Sequence, residues 1–403
     1  MWQKAKLAEL FRVKHGFAFK SEFFDTAGPY ALLTPGNFHE TGGFRERGEK
    51  QPYFTGDVSP AYILDEGDLI VAMTEQEHGL LGSSAWVPES NRYLHNQRLG
   101  RIVDLDAARL HKRFLYYLFN TREVRAQISG SASGTKVRHT APERIGRVEV
   151  MLPLLNEQQR IADVLTAYDE LIENNRRRMA LLEEAARQLY AEWFVRLCYP
   201  GDPRARRADT LPKGWARVPT PEAIEINPST RLSSDEEHWW VEMADLRTNS
   251  MVIQNAVKRD GRSGSKFRNG DTLLARITPC LENGKTGFVD FLPDGEIGRG
   301  STEFIVLRSK RVTPEFVYCL ARTYEFRENA IKSMVGSSGR QRVQESCFEK
   351  FAVFIPPRSI LDHFSEIAVP IFRQINVLKK QNQKLRTARD LLLPRLMSGE
   401  IAV

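Results

Sequence analysis

Cysteine is scarce in these 403 residues, with four in all: Cys198, Cys280, Cys319 and Cys347. No two stand two residues apart and no histidine cluster accompanies them. That argues against a zinc site or a disulfide framework and for a reducing, cytoplasmic setting. Long hydrophobic runs are also missing. No window approaches eighteen uninterrupted apolar residues, so a membrane span or membrane partner is not expected, and Lys4, Lys6 and Glu9 interrupt any apolar signal core at the N-terminus. Catalytic signatures are equally thin. Gly284-Lys285-Thr286 looks like the end of a phosphate-binding loop, but Pro279 occupies the place of its first glycine. There is no Asn-Pro-Pro-aromatic motif for amino-methyl transfer, no glycine-rich loop for a methyl donor, and no acid–lysine pairing at nuclease spacing. Pro293-Asp294-Gly295-Glu296 reads as a turn, and the eight histidines are scattered singly. No catalytic residue, metal ligand or cofactor of the chain's own is therefore expected. Neither charge sign dominates. The 58 Lys+Arg against 51 Asp+Glu leave +7, which suits a nucleic acid but equally an acidic substrate or an anionic surface. The 41% hydrophobic content supports real cores, and the length implies two or three domains.

What is present is a repeat. Gly67-Asp68-Leu69-Ile70-Val71-Ala72 returns as Gly270-Asp271-Thr272-Leu273-Leu274-Ala275, an offset of 203, and Pro153 returns as Pro356 at the same offset. Each Gly-Asp pair reads as a turn feeding a buried strand. Between these anchors lies a Gly/Ser-rich loop followed by basic residues. The first copy is Gly130-Ser131-Ala132-Ser133-Gly134-Thr135-Lys136-Val137-Arg138, and the second is Gly336-Ser337-Ser338-Gly339-Arg340-Gln341-Arg342. The period is too long for a solenoid and indicates a duplicated domain. Strands are expected at 61–64, 69–72, 272–275 and 304–307, and short helices at 112–120 and 314–321.

A long amphipathic helix follows each copy. In the first, Ile161, Leu165, Tyr168, Ile172, Met179, Leu182, Ala186, Leu189 and Trp193 recur in steps of three and four, with Asn175 in one slot. The second runs through Phe364, Ile367, Ile371, Ile375, Leu378, Leu385, Leu392 and Leu396, with Asn382 and Arg389 in apolar slots. Pro370 suggests a kink or a late start, and Pro394 an end or a bend. Roughly forty residues make a rod of about 60 Å, longer than a compact domain needs, although a core helix of a bundle would show the same stripe. If the two seams bury each other, the second helix runs back antiparallel to the first, and the copies are related by a pseudo-twofold axis. Two similar readers would then face the inverted halves of one duplex site. The resulting layout is 1–152 first domain, 153–199 first long helix, 200–210 polar linker, 211–355 second domain, and 356–403 second long helix with tail. The fold class is α+β, with two β-rich domains separated by two long antiparallel coiled-coil helices.

The first helix carries six basic and seven acidic residues between positions 158 and 197, so it is no DNA rod. Positions 258–276 hold Lys258, Arg259, Arg262, Lys266, Arg268 and Arg276 against Asp260 and Asp271, a net +4. With Gly261, Gly264 and Gly270 offering close backbone approach, the stretch suits phosphate contact, and its arginines suit guanine edges. A solvated loop would look the same. Lys136, Arg138 and His139 of the first loop, Arg340 and Arg342 of the second, and Lys285 complete the candidate DNA-binding set.

Several stretches resemble one family. Leu152-Pro153-Leu154, then Glu157-Gln158-Gln159-Arg160-Ile161-Ala162-Asp163-Val164-Leu165 and on to Trp193-Phe194, resemble the central helical region of type I restriction–modification specificity subunits. Leu211-Pro212-Lys213-Gly214-Trp215 is similar to that family's approach to its second target-recognition domain. Ala275-Arg276-Ile277-Thr278-Pro279-Cys280-Leu281-Glu282-Asn283-Gly284-Lys285 resembles a segment within such domains, and Leu392-Leu393-Pro394-Arg395-Leu396-Met397-Ser398-Gly399-Glu400-Ile401 resembles its C-terminal end. The resemblance implies a non-catalytic subunit that reads a bipartite double-stranded DNA target. It implies two modification subunits as partners, which use S-adenosylmethionine, and restriction subunits that use ATP where these are present. It also gives the helices a docking role, for which Tyr190, Trp193 and Phe194 are candidates; the alternative is that these aromatics close the helix pair internally. The competing readings of the whole chain are a self-sufficient DNA-modifying enzyme, which predicts turnover by the chain alone, and a coiled-coil scaffold, which predicts no DNA binding.

Overall fold

The protein is described from a computed structural model covering residues 2–76, 79–199, 211–232, 237–261 and 263–403. The expected linker 200–210 and Arg262 lie outside the described residues. The chain forms two compact units, Met1–Glu170 with Leu385–Val403, and Leu171–Lys384. The division falls inside both long helices, Leu155–Tyr190 and Arg358–Met397.

Each unit is built around a four-stranded antiparallel sheet in the same order. In the first unit the order is Arg12–His15, Leu99–Val103, Leu69–Ala72, Ser84–Trp86. In the second it is Ile224–Ile226, Phe304–Ser309, Thr272–Ala275, Thr286–Phe288. The strands Leu69–Ala72 and Thr272–Ala275, anticipated from the Gly-Asp repeats, are buried at every position. That is why they read as unbroken apolar runs rather than alternating ones.

The repeated turn has a physical reason. Gly67 and Gly270 take φ of +78° and +88°, open to glycine at little cost. The following aspartate then caps the turn it ends: Asp68 accepts the backbone N–H of Asp65 at 2.9 Å, and Asp271 that of Arg268 at 2.8 Å. Each aspartate also meets an arginine of the neighbouring strand. Arg101 reaches Asp68 at 3.0 Å, and Arg308 grips Asp271 at 2.8 and 2.7 Å through Nε and Nη2.

A second sheet lies in each unit. The second unit orders it Val257–Arg259, His238–Val241, Gly298–Gly300, Ser265–Phe267, with the middle pair parallel. The first unit has the corresponding four, Tyr53–Phe54, Tyr30–Leu32, Tyr93–Leu94, Ile63–Leu64, and adds Phe24–Asp25 at the edge. Short helices follow, Lys112–Phe119 and Arg122–Gly130 in the first unit, Pro314–Ala321 and Tyr324–Lys332 in the second. The Thr121 and Thr323 hydroxyls cap the second helix of each pair by accepting the backbone N–H groups of Val124 and Phe326.

Within each unit the two long helices run antiparallel. In the first, Ile161, Ala162 and Leu165 share a core with Leu396 and Met397, while Arg389 pairs with Asp169. In the second, Asn175 donates to Asn382 Oδ1 at 3.0 Å, and Asn382 donates to the Ile172 carbonyl at 3.0 Å. The two polar slots in the seams thus satisfy each other. The second helix starts at Arg358 and runs through Pro370 and Pro394, so the expected late start and early stop are not found. Its seam also differs from the expected one. Phe364 and Ile375 are buried as expected, but Ile367 is 37% exposed, and Leu361, Ala368 and Phe372 are buried beside them. This part of the helix packs on a domain as well as on a helix: Phe372 lies 4.9 Å from Phe288 and 5.7 Å from Tyr318, ring to ring. The wider apolar face of a globular helix replaces the narrow seam.

Tyr190, Trp193 and Phe194 are not available for partner docking. They are 3%, 4% and 2% exposed. Trp193 and Phe194 sit on a π-helical turn, Ala191–Val195, which brings two successive side chains into one core. There Phe194 meets Phe316 and Phe364 at 4.9 and 5.1 Å, and Tyr190 meets Phe316 at 4.8 Å. Burial pushes the Tyr190 phenol well above its ordinary pKa. Of the two roles open to these aromatics, closing the core is the one observed.

Candidate nucleic-acid interface

Both Gly/Ser-rich loops fold as short hairpins pinned beside the central strand of their unit. In the first, Ser133 and His139 exchange backbone hydrogen bonds of 3.0 and 2.8 Å, and Arg138–His139 pairs with Thr74–Glu75. In the second, Val335 and Arg342 exchange two of 3.0 Å, and Arg342 bridges to Ile277. The pinning bond itself repeats. Thr140 donates to the Met73 carbonyl, and Val343 to the Arg276 carbonyl, both at 2.9 Å and both moved by the same 203 positions. Gly134, at φ +97°, could not carry a side chain, because a Cβ there would overlap the Val137 carbonyl oxygen. Gly336 and Gly339 also have positive φ. Gly134, Gly336 and Gly339 therefore serve the hairpin shape, whereas Gly130 ends the preceding helix.

The cations divide into anchors and tips. Arg138 pairs with the buried Glu75 at 3.1 Å, and Glu75 also accepts the backbone N–H groups of Gly79, Leu80 and Leu81 at 2.9–3.0 Å. His139 Nδ1 lies 3.2 Å from Thr74 Oγ1. Arg342 forms a fork with Glu303, with contacts of 2.6 and 3.0 Å, which raises its guanidinium pKa further. These side chains hold the loops. Lys136 and Arg340, at the tips, are exposed and meet no acidic partner among the described residues.

The basic stretch 258–276 does not act as one patch. Lys266 donates to the Thr230 carbonyl at 3.0 Å. Lys258 lies over the Trp239 ring and 3.9 Å from Glu296. Arg268 is exposed but precedes the strand Thr272–Ala275, at the end opposite the hairpin. Arg276 is half-buried between Glu345, at 3.2 Å, and the Val343 carbonyl. Gly261 and Gly264 approach Trp240 and the Gly300 backbone rather than leaving room for a ligand. Lys285 donates to the Met243 carbonyl at 2.7 Å, and a strand, Thr286–Phe288, follows it where a phosphate-binding loop would need a helix.

One cluster does form. Arg259 pairs with Glu242 at 2.6 Å, and Lys285 is tied to the adjacent Met243. The strand ends Val241 and Gly300 are neighbours and lead to Glu303, which holds Arg342. Arg259 and Lys285 thus meet the adjacent residues Glu242 and Met243 just past the strand His238–Val241, and Arg342 meets Glu303, three residues past the strand Gly298–Gly300 that pairs with it. The carboxylates Glu75, Glu242 and Glu303, which set the posture of these arginines, were not anticipated. A sequence signal for them would require pairing residues 17 to 63 positions apart.

The type I restriction modification DNA specificity domain matches residues 1–184. The MjaIX type I restriction enzyme specificity subunit of Methanocaldococcus jannaschii is 26% identical over 326 residues, covering 76% of this chain and 73% of that protein. Over about three quarters of its length the chain is thus similar to a type I specificity subunit, and its first 184 residues match that family's DNA specificity domain. The EcoAI specificity subunit of Escherichia coli is 32% identical over 187 residues, 45% of this chain and 31% of the relative. The crystal structure of a type I restriction–modification system S subunit from M. genitalium shares the specificity-subunit fold, with a TM-score of 0.57 at 16% identity and coverage of 98% and 96%. The duplicated units described above are the form this fold takes here.

Proposed function

We propose that this protein is a type I specificity subunit that reads a two-part DNA target, one half with each unit, and directs methylation of that target by partner modification subunits. The observation that carries this reading is the pair of equivalent hairpins. Each is pinned to its central strand by the same backbone bond, and each offers one tip cation, Lys136 or Arg340, with no acid beside it among the described residues. A duplicated loop that leaves a cation unneutralised suits a ligand with a repeated negative backbone. The chain contributes no catalysis in this reading. S-adenosylmethionine belongs to the two modification subunits and ATP to any restriction subunits, all working in the cytoplasm where the DNA is.

The test is the salt dependence of DNA binding. Lys136→Ala and Arg340→Ala should each reduce the slope of log affinity against log salt by about 0.9, and together by about twice that. An unchanged slope in both variants would remove the hairpin tips from the interface. Exchanging residues 211–355 for the corresponding part of another family member should alter one half of the methylated target, and a change in both halves would sink the two-reader scheme.

A further inference from the structure

Arg259 is held more firmly than any exposed cation of the cluster needs to be for simple charge. It lies on the edge strand Val257–Arg259 with its guanidinium 4.0 Å from the ring centroid of Trp240, on the neighbouring strand. One nitrogen, Nη2, is 2.6 Å from Glu242 Oε1. Trp240 is fixed in turn, because the backbones of Gly261 and Gly264 lie so close to its ring that a Cβ on either would crowd it. The ring face and the carboxylate together restrict where the guanidinium can lie. Even so, the side chain remains 44% exposed, and its other N–H donors meet no acceptor among the described residues.

Such a group is poorly suited to phosphate and well suited to a base. Paired with Glu242, it carries almost no net charge, so contact with phosphate would release little counterion. A neutral base edge asks for something else, namely two parallel donors at fixed spacing. Guanine presents N7 and O6 in the major groove as matching acceptors, and the arginine fork fits them bidentately. The position supports the assignment. Glu242 leads directly to Met243 and Lys285, and the ends of the adjoining strands lead to Glu303 and Arg342 of the hairpin.

We infer that Arg259 reads a guanine edge in the half-site met by the second unit, with Trp240 and Glu242 as its positioning residues. This rests on the DNA-reading function proposed above, and it names the chemistry of one base contact within it. The neutralising carboxylate also adds discrimination, since it withholds a cation that would otherwise bind any phosphate.

The experiment uses the full chain assembled with its modification subunits, with methylated sites mapped in cells and DNA binding titrated with salt in vitro. Arg259→Lys keeps the charge and the stacked position over Trp240 but loses the fork. It should lower preference for guanine at one position of one half-site on the order of 10–100-fold, leaving the other half-site and the salt slope unchanged. Glu242→Gln frees the guanidinium and should strengthen binding to unrelated DNA and steepen its salt dependence. The inference is overturned if Arg259→Lys retains full base preference. It is equally overturned if that variant weakens binding to all sequences alike, or if Glu242→Gln leaves binding to unrelated DNA unchanged. Failure of the unaltered complex to bind DNA in a salt-dependent way would instead overturn the DNA-reading function itself.

Discussion

The two units repeat the same set of devices around the central strand and diverge at the second sheet. The turn, the capping aspartate, the crossing arginine and the pinned hairpin occur in both. The differences lie in how deeply these parts are buried and in what the outer sheet displays. The first unit adds the strand Phe24–Asp25 and shows a run of packed aromatics, with Phe17 against Phe19 and Tyr62, and Phe19 and Phe23 against Phe54. The second unit shows tryptophans under cations. A frame kept by local hydrogen bonds tolerates a changed outer surface, as a reader that must recognise a different sequence requires.

The largest expected effect lies in the shared ion pair. Arg308 and Asp271 are almost fully buried, with two contacts, whereas Arg101 and Asp68 are part-exposed, with one. Asp271→Ala leaves a buried guanidinium unpaired and should cost about 3–5 kcal/mol. Asp68→Ala should cost less, about 1–3 kcal/mol, mostly the lost charged hydrogen bonds. Equal losses in denaturant unfolding would mean that the two turns carry the same weight despite their different burial.

Acid should separate the units next. His95, in the first unit, is buried and donates through Nε2 to the Leu99 carbonyl at 3.0 Å, and burial lowers its pKa from 6.5 to about 4. The folded state therefore keeps it neutral while the unfolded chain binds a proton, so stability is lost as pH falls from about 6.5 towards 4. The contribution is up to about 3 kcal/mol. Hydrogen exchange at pH 5 should accelerate in the first unit, and His95→Gln should remove that part of the pH dependence; a slope that survives the substitution would assign it elsewhere.

The smallest effect belongs to the helix seam of the second unit. Asn175→Leu alone leaves Asn382 Oδ1 without its donor and should cost about 1–2 kcal/mol, which a second change, Asn382→Leu, should largely restore. A double variant no more stable than the single one would show that the pair does not act as a unit.

Much of the frame was legible in the sequence because its causes are local. Glycine at a positive φ, an aspartate after it, and an apolar run stand next to each other in the chain. The helix seams were legible for the same reason, except near Phe372, where a domain replaces a helix as the packing partner. The site was less legible. Whether an arginine is free or clamped depends on acids far away, Glu303 for Arg342 and Glu75 for Arg138, so a count of local charge overrated the stretch 258–276. The aromatics at 190, 193 and 194 looked available because the surfaces that cover them, around Phe316 and Phe364, come more than a hundred residues later.

Leu396 and Met397 complete the core that Ile161 and Leu165 begin, and this has a consequence in time. During synthesis the first unit emerges first, yet its last core residues follow Leu165 by roughly 230 positions. At about 5–20 residues per second that is a wait on the order of 10–50 s. Throughout it the apolar face of the first helix near Ile161 stands open. The second unit, whose core residues run only to Ile375, can close while the first is still waiting. The half made earliest is thus the half finished last, and a ribosome stalled before position 385 would release one completed reader and one unsealed one.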